Sequence, residues 1–194
     1  MKRILLTALA LCVAVSVAGC AKQGGRPDSL AMSSGAVKSA VTGWKVYTNP
    51  AARYELRFPK NWTVEDSGED GVTVRFFQDK KAGVAMKITT FSNWQEKLDL
   101  AGFYARQSVD LLKSDTARED VELDGQKAVW FKDVKGRVSG LPAQAGDANR
   151  LIDVVSVNLD SRILEIEVLD GWDDAKVIMN SLNFYPDKVI GDLK

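Results

Sequence analysis

The stretch Leu151-Ile152-Asp153-Val154-Val155-Ser156-Val157-Asn158-Leu159, followed by Asp160-Ser161 and then Arg162-Ile163-Leu164-Glu165-Ile166-Glu167-Val168-Leu169, decides the fold class. Two runs rich in β-branched residues meet at a short polar turn, which is the pattern of paired antiparallel strands. In the second run Leu164, Ile166 and Val168 point one way while Glu165 and Glu167 point the other, as the two-residue period of a strand requires.

Upstream, residues 119–132 read as a second hairpin. Its turn is Asp124-Gly125, a dipeptide that tolerates the positive φ angles of a tight hairpin. Val121 and Leu123 lie before the turn, and Ala128, Val129, Trp130 and Phe131 after it. Further back, three runs alternate: Tyr54, Leu56 and Phe58; Val72, Val74 and Phe76; and Val84, Met86 and Ile88. Turn-rich stretches separate them, so they are expected to be antiparallel neighbours. Residues 98–113 switch to helical spacing, with Leu100, Phe103, Tyr104 and Leu111 on one face and Asp99 as N-cap. Residues 173–182 form a second short helix, with Ala175, Ile178, Met179 and Leu182 on one face. Residues 135–149 read as a long loop.

Hairpins cluster instead of alternating with helices, so the class is α+β with a largely antiparallel sheet of about six or seven strands flanked by helices. The stretch is long enough for one domain with one core. That domain is expected over 44–185, preceded by a flexible tether over 20–43 and followed by a tail over 186–194. The tether expectation rests on small and polar residues, among them Gly24, Gly25, Pro27, Ser33, Ser34 and Gly35. A coil of that length averages about 25–30 Å end to end.

Tyr47-Thr48-Asn49-Pro50 and Tyr54-Glu55-Leu56-Arg57-Phe58-Pro59-Lys60-Asn61-Trp62 open the domain, and Ile178-Met179-Asn180-Ser181-Leu182-Asn183-Phe184 closes it. Both stretches resemble the PsbP-like family, over residues 44–185. The resemblance implies the Mog1/PsbP fold, an α/β/α sandwich around an antiparallel sheet. It implies no functional residue, since Tyr54, Phe58, Pro59 and Trp62 are explained by packing. Photosynthetic members assist assembly of a membrane complex, and bacterial members are often lipoproteins.

The beginning of the chain has a reading of its own. Met1-Lys2-Arg3 is a short positive segment, and residues 4–17 are apolar apart from Thr7 and Ser16. That length suits a secretory signal and falls short of a membrane span. Val17-Ala18-Gly19-Cys20 follows, and it resembles the lipobox of bacterial lipoproteins. The resemblance implies that residues 1–19 are removed and that Cys20 carries a diacylglyceryl group and an N-acyl chain. Two lipid signals make a stable anchor where one does not. Ala21 after the cysteine favours the outer membrane, facing the periplasm, in a diderm organism.

The remaining chemistry is sparse. The chain has no histidine, and its two cysteines are Cys12, inside the signal, and Cys20. Zinc sites and Ser-His or Cys-His catalysis are therefore excluded from the mature protein. Losing Lys2 and Arg3 leaves two more acids than bases, with no stripe for nucleic acid. A Ser–Lys or carboxylate-pair enzyme stays formally open, yet no spacing singles out a pair. No cofactor is expected. Asp170, Asp173 and Asp174 are candidate ligands for a hard cation, against a plainer reading as turn and helix cap. Trp94 either caps the core or is a contact residue for a protein partner. The expected function is a lipid-anchored, non-catalytic interaction or assembly module of the cell envelope. The alternative is a carrier or sensor of a small apolar ligand held between sheet and helix.

Overall fold

The computed structural model describes residues 27–66, 73–81, 83–93, 97–106, 117–135, 151–159, 161–169 and 171–185. The described elements form two antiparallel sheets and three helices. The α+β class holds, and the arrangement of its strands differs from the expected one in an instructive way.

The larger sheet has seven strands. They are β3 (Thr63–Asp66), β4 (Thr73–Phe77), β5 (Met86–Ser92), β6 (Ala117–Leu123), β7 (Gln126–Lys135), β8 (Leu151–Asn158) and β9 (Arg162–Val168), in the spatial order β3-β4-β5-β9-β8-β7-β6. The β6–β7 turn is the expected one: Asp124 and Gly125 have φ of 48° and 72°. Asp124 also accepts a 2.7 Å bond from the Phe184 amide, so the turn ties down a second element. β7 carries a bulge, because Phe131 pairs with Val154 and Val134 with Ile152. Lys132 and Asp133 thus stand opposite Asp153 alone. Asp133 takes φ 57°, and its amide donates to Asp153 Oδ1 at 2.8 Å.

The run Tyr54–Phe58 is a strand but not a neighbour of β4. It is β2 of a separate three-stranded sheet, between β1 (Lys45–Asn49) and β10 (Asn183–Phe184). The reason is β3, whose Thr-Val-Glu-Asp sequence is too short and too exposed to show an alternating pattern. It occupies the edge of β4 that β2 was expected to take.

One face of the large sheet carries the main core. Val74, Phe76, Met86, Ile88, Trp130, Val155, Leu164 and Ile166 meet Tyr54, Leu56 and Phe58 of the small sheet there. Edge-on ring contacts fix the approach, Phe58 to Phe76 at 5.8 Å and Tyr47 to Phe76 at 6.0 Å. The helix α3 (Trp172–Asn180) adds the expected Ala175, Ile178, Met179 and the following Leu182. The other face is covered by α2 (Leu100–Arg106), through Phe103 and Tyr104 against Phe91, Phe131, Val154 and Ile163. Asp99 caps α2 as expected, its Oδ1 accepting from the Gly102 amide at 2.7 Å. Residues 107–113 of the expected helix lie outside the described residues. The layers are therefore small sheet and α3, large sheet, then α2, instead of a sheet between helices alone.

The expected tether is corrected at its C-terminal end. Residues Ser34–Ala40 form a helix, α1, whose N-cap Ser33 accepts from the Ala36 amide. Leu30 is buried in the main core and Val41 is buried after the helix. Two apolar residues so far apart make no periodic signal, so a docked strap reads like a linker.

Candidate functional site

The central strands β5, β9 and β8 are covered on both faces, and that geometry turns an ordinary alternation into an internal polar site. Lys87 of β5 and Glu167 of β9 are register partners. Their Nζ and Oε1 atoms are 2.5 Å apart, with 1% of each side chain exposed. One step along the same face, Thr89, Glu165 and Ser156 sit side by side across β5, β9 and β8. From α2 above them, the Tyr104 hydroxyl donates to Glu165 Oε2 at 3.0 Å and is also hydrogen-bonded to Ser156 Oγ. Buried charge is tolerated only when it is paired or hydrogen-bonded, and these groups supply partners for one another.

The site has ingredients of acid–base chemistry: a lysine, two carboxylates, a phenol and a serine hydroxyl. It lacks access. Ser156 and Tyr104 are fully buried, and Glu165 is 2% exposed. Two surface recesses stand elsewhere, and none of these five residues lines either one. The first, about 760 Å³, lies between α1 and the end of α3, with Lys38, Arg57, Glu122 and Asn180 in its walls. The second, about 490 Å³, lies at the β7 bulge, with Pro27, Lys132, Asp133, Leu151 and Trp172.

The sequence did not single out this network, although a signal was present. The run Ile152–Val157 of β8 shows no exposed position. In the sequence this is an apolar run broken only by Asp153 and Ser156, the mark of a strand covered on both faces. The two glutamates of β9, paired beside it, are interior because their face is covered, with Tyr104 of α2 bonded to Glu165.

The residues the sequence did nominate fall differently. Cys20, Trp94 and Asp170 lie outside the described residues. Asp173 and Asp174 occupy the first turn of α3, where the helix dipole favours acids. The N-cap itself is Gly171, with φ 68° and no side-chain cap bond, so the turn is set by backbone freedom and not by an aspartate. A Cβ there would stand 2.7 Å from Gln78 Nε2 and 3.3 Å from the Trp62 ring. Burial pushes the Asp174 carboxyl above its ordinary range, while the Gln78 and Trp62 side chains beside it pull the other way. Among the described residues, no group of three His, Cys, Asp or Glu side chains could hold a metal ion. Among them too, no helix is long and apolar enough to cross a membrane.

Near the small sheet, burial raises the phenols of Tyr47 and Tyr54 well above the ordinary tyrosine range. The Tyr47 hydroxyl also donates to Asp66 Oδ2 at 2.7 Å, which holds its proton further.

No protein-family model and no curated protein matches the chain. Solved structures do resemble it. The solution structure of cyanobacterial PsbP (CyanoP) from Synechocystis is 16% identical, covering 73% of this chain and 92% of that one, with a TM-score of 0.44. A crystal structure from Bacteroides thetaiotaomicron is 12% identical, covering 74% of this chain, with a TM-score of 0.39. The chain spans about half the length of the Bacteroides protein, 49%. The fold is an α+β domain of two antiparallel sheets with an enclosed polar network.

Proposed function

We propose that this chain is a lipid-anchored, non-catalytic interaction or assembly module of the bacterial cell envelope, held to the membrane through Cys20. The observation that carries the non-catalytic reading is the closure of the polar site. The lysine, carboxylates and hydroxyls that the sheet gathers are 0–2% exposed and bonded to one another, so no general acid or base among them faces solvent. The anchor reading is supported by Val17-Ala18-Gly19-Cys20 at the end of an apolar run of signal length. Ala21 favours the outer membrane, periplasmic side, in a diderm cell. A protein of the envelope is the expected partner, and Trp94 remains the sequence's candidate contact.

The direct test is Cys20→Ser with membrane fractionation and intact mass. The variant should leave the membrane fraction and lose the mass of its lipids. Retention with unchanged lipid would sink the anchor, and crosslinked membranes that yield no specific partner would sink the module.

The carrier reading draws on the recess beside α1, which has the volume of a small-molecule site. Its walls carry Lys38, Arg57, Glu122 and Asp124, and an apolar ligand would desolvate them without compensation. Saturable binding of a lipophilic fluorophore, abolished by Val37→Asp, would favour that reading over the first.

A further inference from the structure

The first described residues limit how the domain can stand on a membrane. Leu30 is 1% exposed within the main core, and its carbonyl accepts from Asn180 Nδ2 at 2.7 Å. Val41 is buried at the far end of α1. The strap between them is therefore pinned at both ends and belongs to the domain. Its leading residue, Pro27, lies beside Leu151 in a recess whose charged lining is Asp28, Asp133, Asp153 and Lys132. That recess is at one end of the large sheet, where β8 begins and β9 gives way to α3. Leu151 there is 50% exposed, one of two large apolar side chains so exposed among the described residues.

We propose that this end of the domain, marked by Pro27 and Leu151, is the face that meets the lipid bilayer. The proposal rests on the lipid-anchor reading of Cys20. Chain length then sets the orientation. Seven residues lead from Cys20 to Pro27, which reach about 25 Å when fully extended. A random coil of seven residues averages about 15 Å end to end. The Asp124-Gly125 turn is at the opposite end of the sheet, and Asp133 lies eight residues along β7 from it, about 26 Å. With that turn against the membrane, the tether would be drawn to its limit. With Pro27 and Leu151 against it, the tether is relaxed and half-exposed Leu151 reaches the interface, while the charged groups beside it stay in the hydrated headgroup layer.

The processed chain has no cysteine besides Cys20, so a single probe can be placed at will. Leu151→Cys and, at the opposite end, Lys127→Cys would each be labelled with an environment-sensitive fluorophore on the lipidated full chain. The protein would be reconstituted in phosphatidylethanolamine–phosphatidylglycerol vesicles that contain a nitroxide-labelled headgroup lipid. Quenching should be several-fold stronger at 151 than at 127. Equal or reversed quenching on protein that carries its lipid and floats with the vesicles overturns the orientation alone. Protein that lacks lipid and stays free of vesicles overturns the anchor, and the orientation with it. Leu30→Ser, which frees the strap and lengthens the tether, should shrink the difference between the sites. A difference that survives this change overturns the strap as its cause.

Discussion

Lys87 and Glu167 meet across β5 and β9 with 2.5 Å between Nζ and Oε1, each with only 1% of its side chain exposed. Lysine is seldom buried so completely, and Lys87, flanked along β5 by Met86 and Ile88, stands between Arg75 of β4 and Glu167 of β9. A buried pair adds little net stability compared with apolar residues of the same volume, but removing one partner strands a charge.

Lys87→Met and Glu167→Leu, made singly, should therefore each lower stability by about 3–5 kcal/mol. The double variant should recover most of that loss. Urea unfolding of the four proteins checks this, and additive losses in the double variant would show that the pair is not coupled.

The strap makes a second prediction. Leu30→Ala should cost about 2–5 kcal/mol, as for a fully buried leucine whose removal leaves a cavity. A chain that starts at Trp44 should be destabilised by at least as much. Hydrogen exchange across residues 31–43 should rise in Leu30→Ala, whereas a true linker would exchange fast in both proteins.

Gly171 makes a third. Its φ of 68° is left-handed, and an added Cβ would approach Gln78 Nε2 to 2.7 Å. The backbone alone makes Gly171→Ala unfavourable by about 1–2 kcal/mol. Displacing Gln78 adds to that, so the thermal midpoint should fall by several degrees. Gln78→Ala should relieve part of the loss, which separates the contact from the backbone strain.

Asp174 gives a pH dependence. Its carboxyl is raised in the folded protein, chiefly by burial, so the native state binds its proton more tightly than the unfolded state does. The contribution to stability is thus fully present below the ordinary carboxyl range and is lost as pH rises through the raised value. Asp174→Asn should be more stable than the parent at neutral pH, and the advantage should vanish under acid conditions. Midpoints measured across that range decide it, and a constant offset would show that the titration is irrelevant.

The local patterns were legible in the sequence because their causes are local. The Asp124-Gly125 turn needs two residues that tolerate positive φ, and the Asp99 cap needs one short acceptor before a helix. The strands at 151–169 follow from β-branched runs around a turn, and the face of α3 follows from residue spacing. The partners of β2 were hidden, since a strand shows its own pattern and not its neighbour. So was the strap, since Leu30 and Val41 are single anchors that declare themselves only when the core closes over them.

The amino-acid sequence by itself determined the α+β class, the two hairpins, the helix faces and the absence of histidine. These depend on composition and on neighbours a few residues apart. Only the tertiary structure decided that β3 displaces β2 from the large sheet, that residues 30–41 dock, and that Glu165, Glu167 and Lys87 lie inside. Each of those depends on what covers a face or an edge. Coverage is made by residues far away along the chain, which no local pattern records.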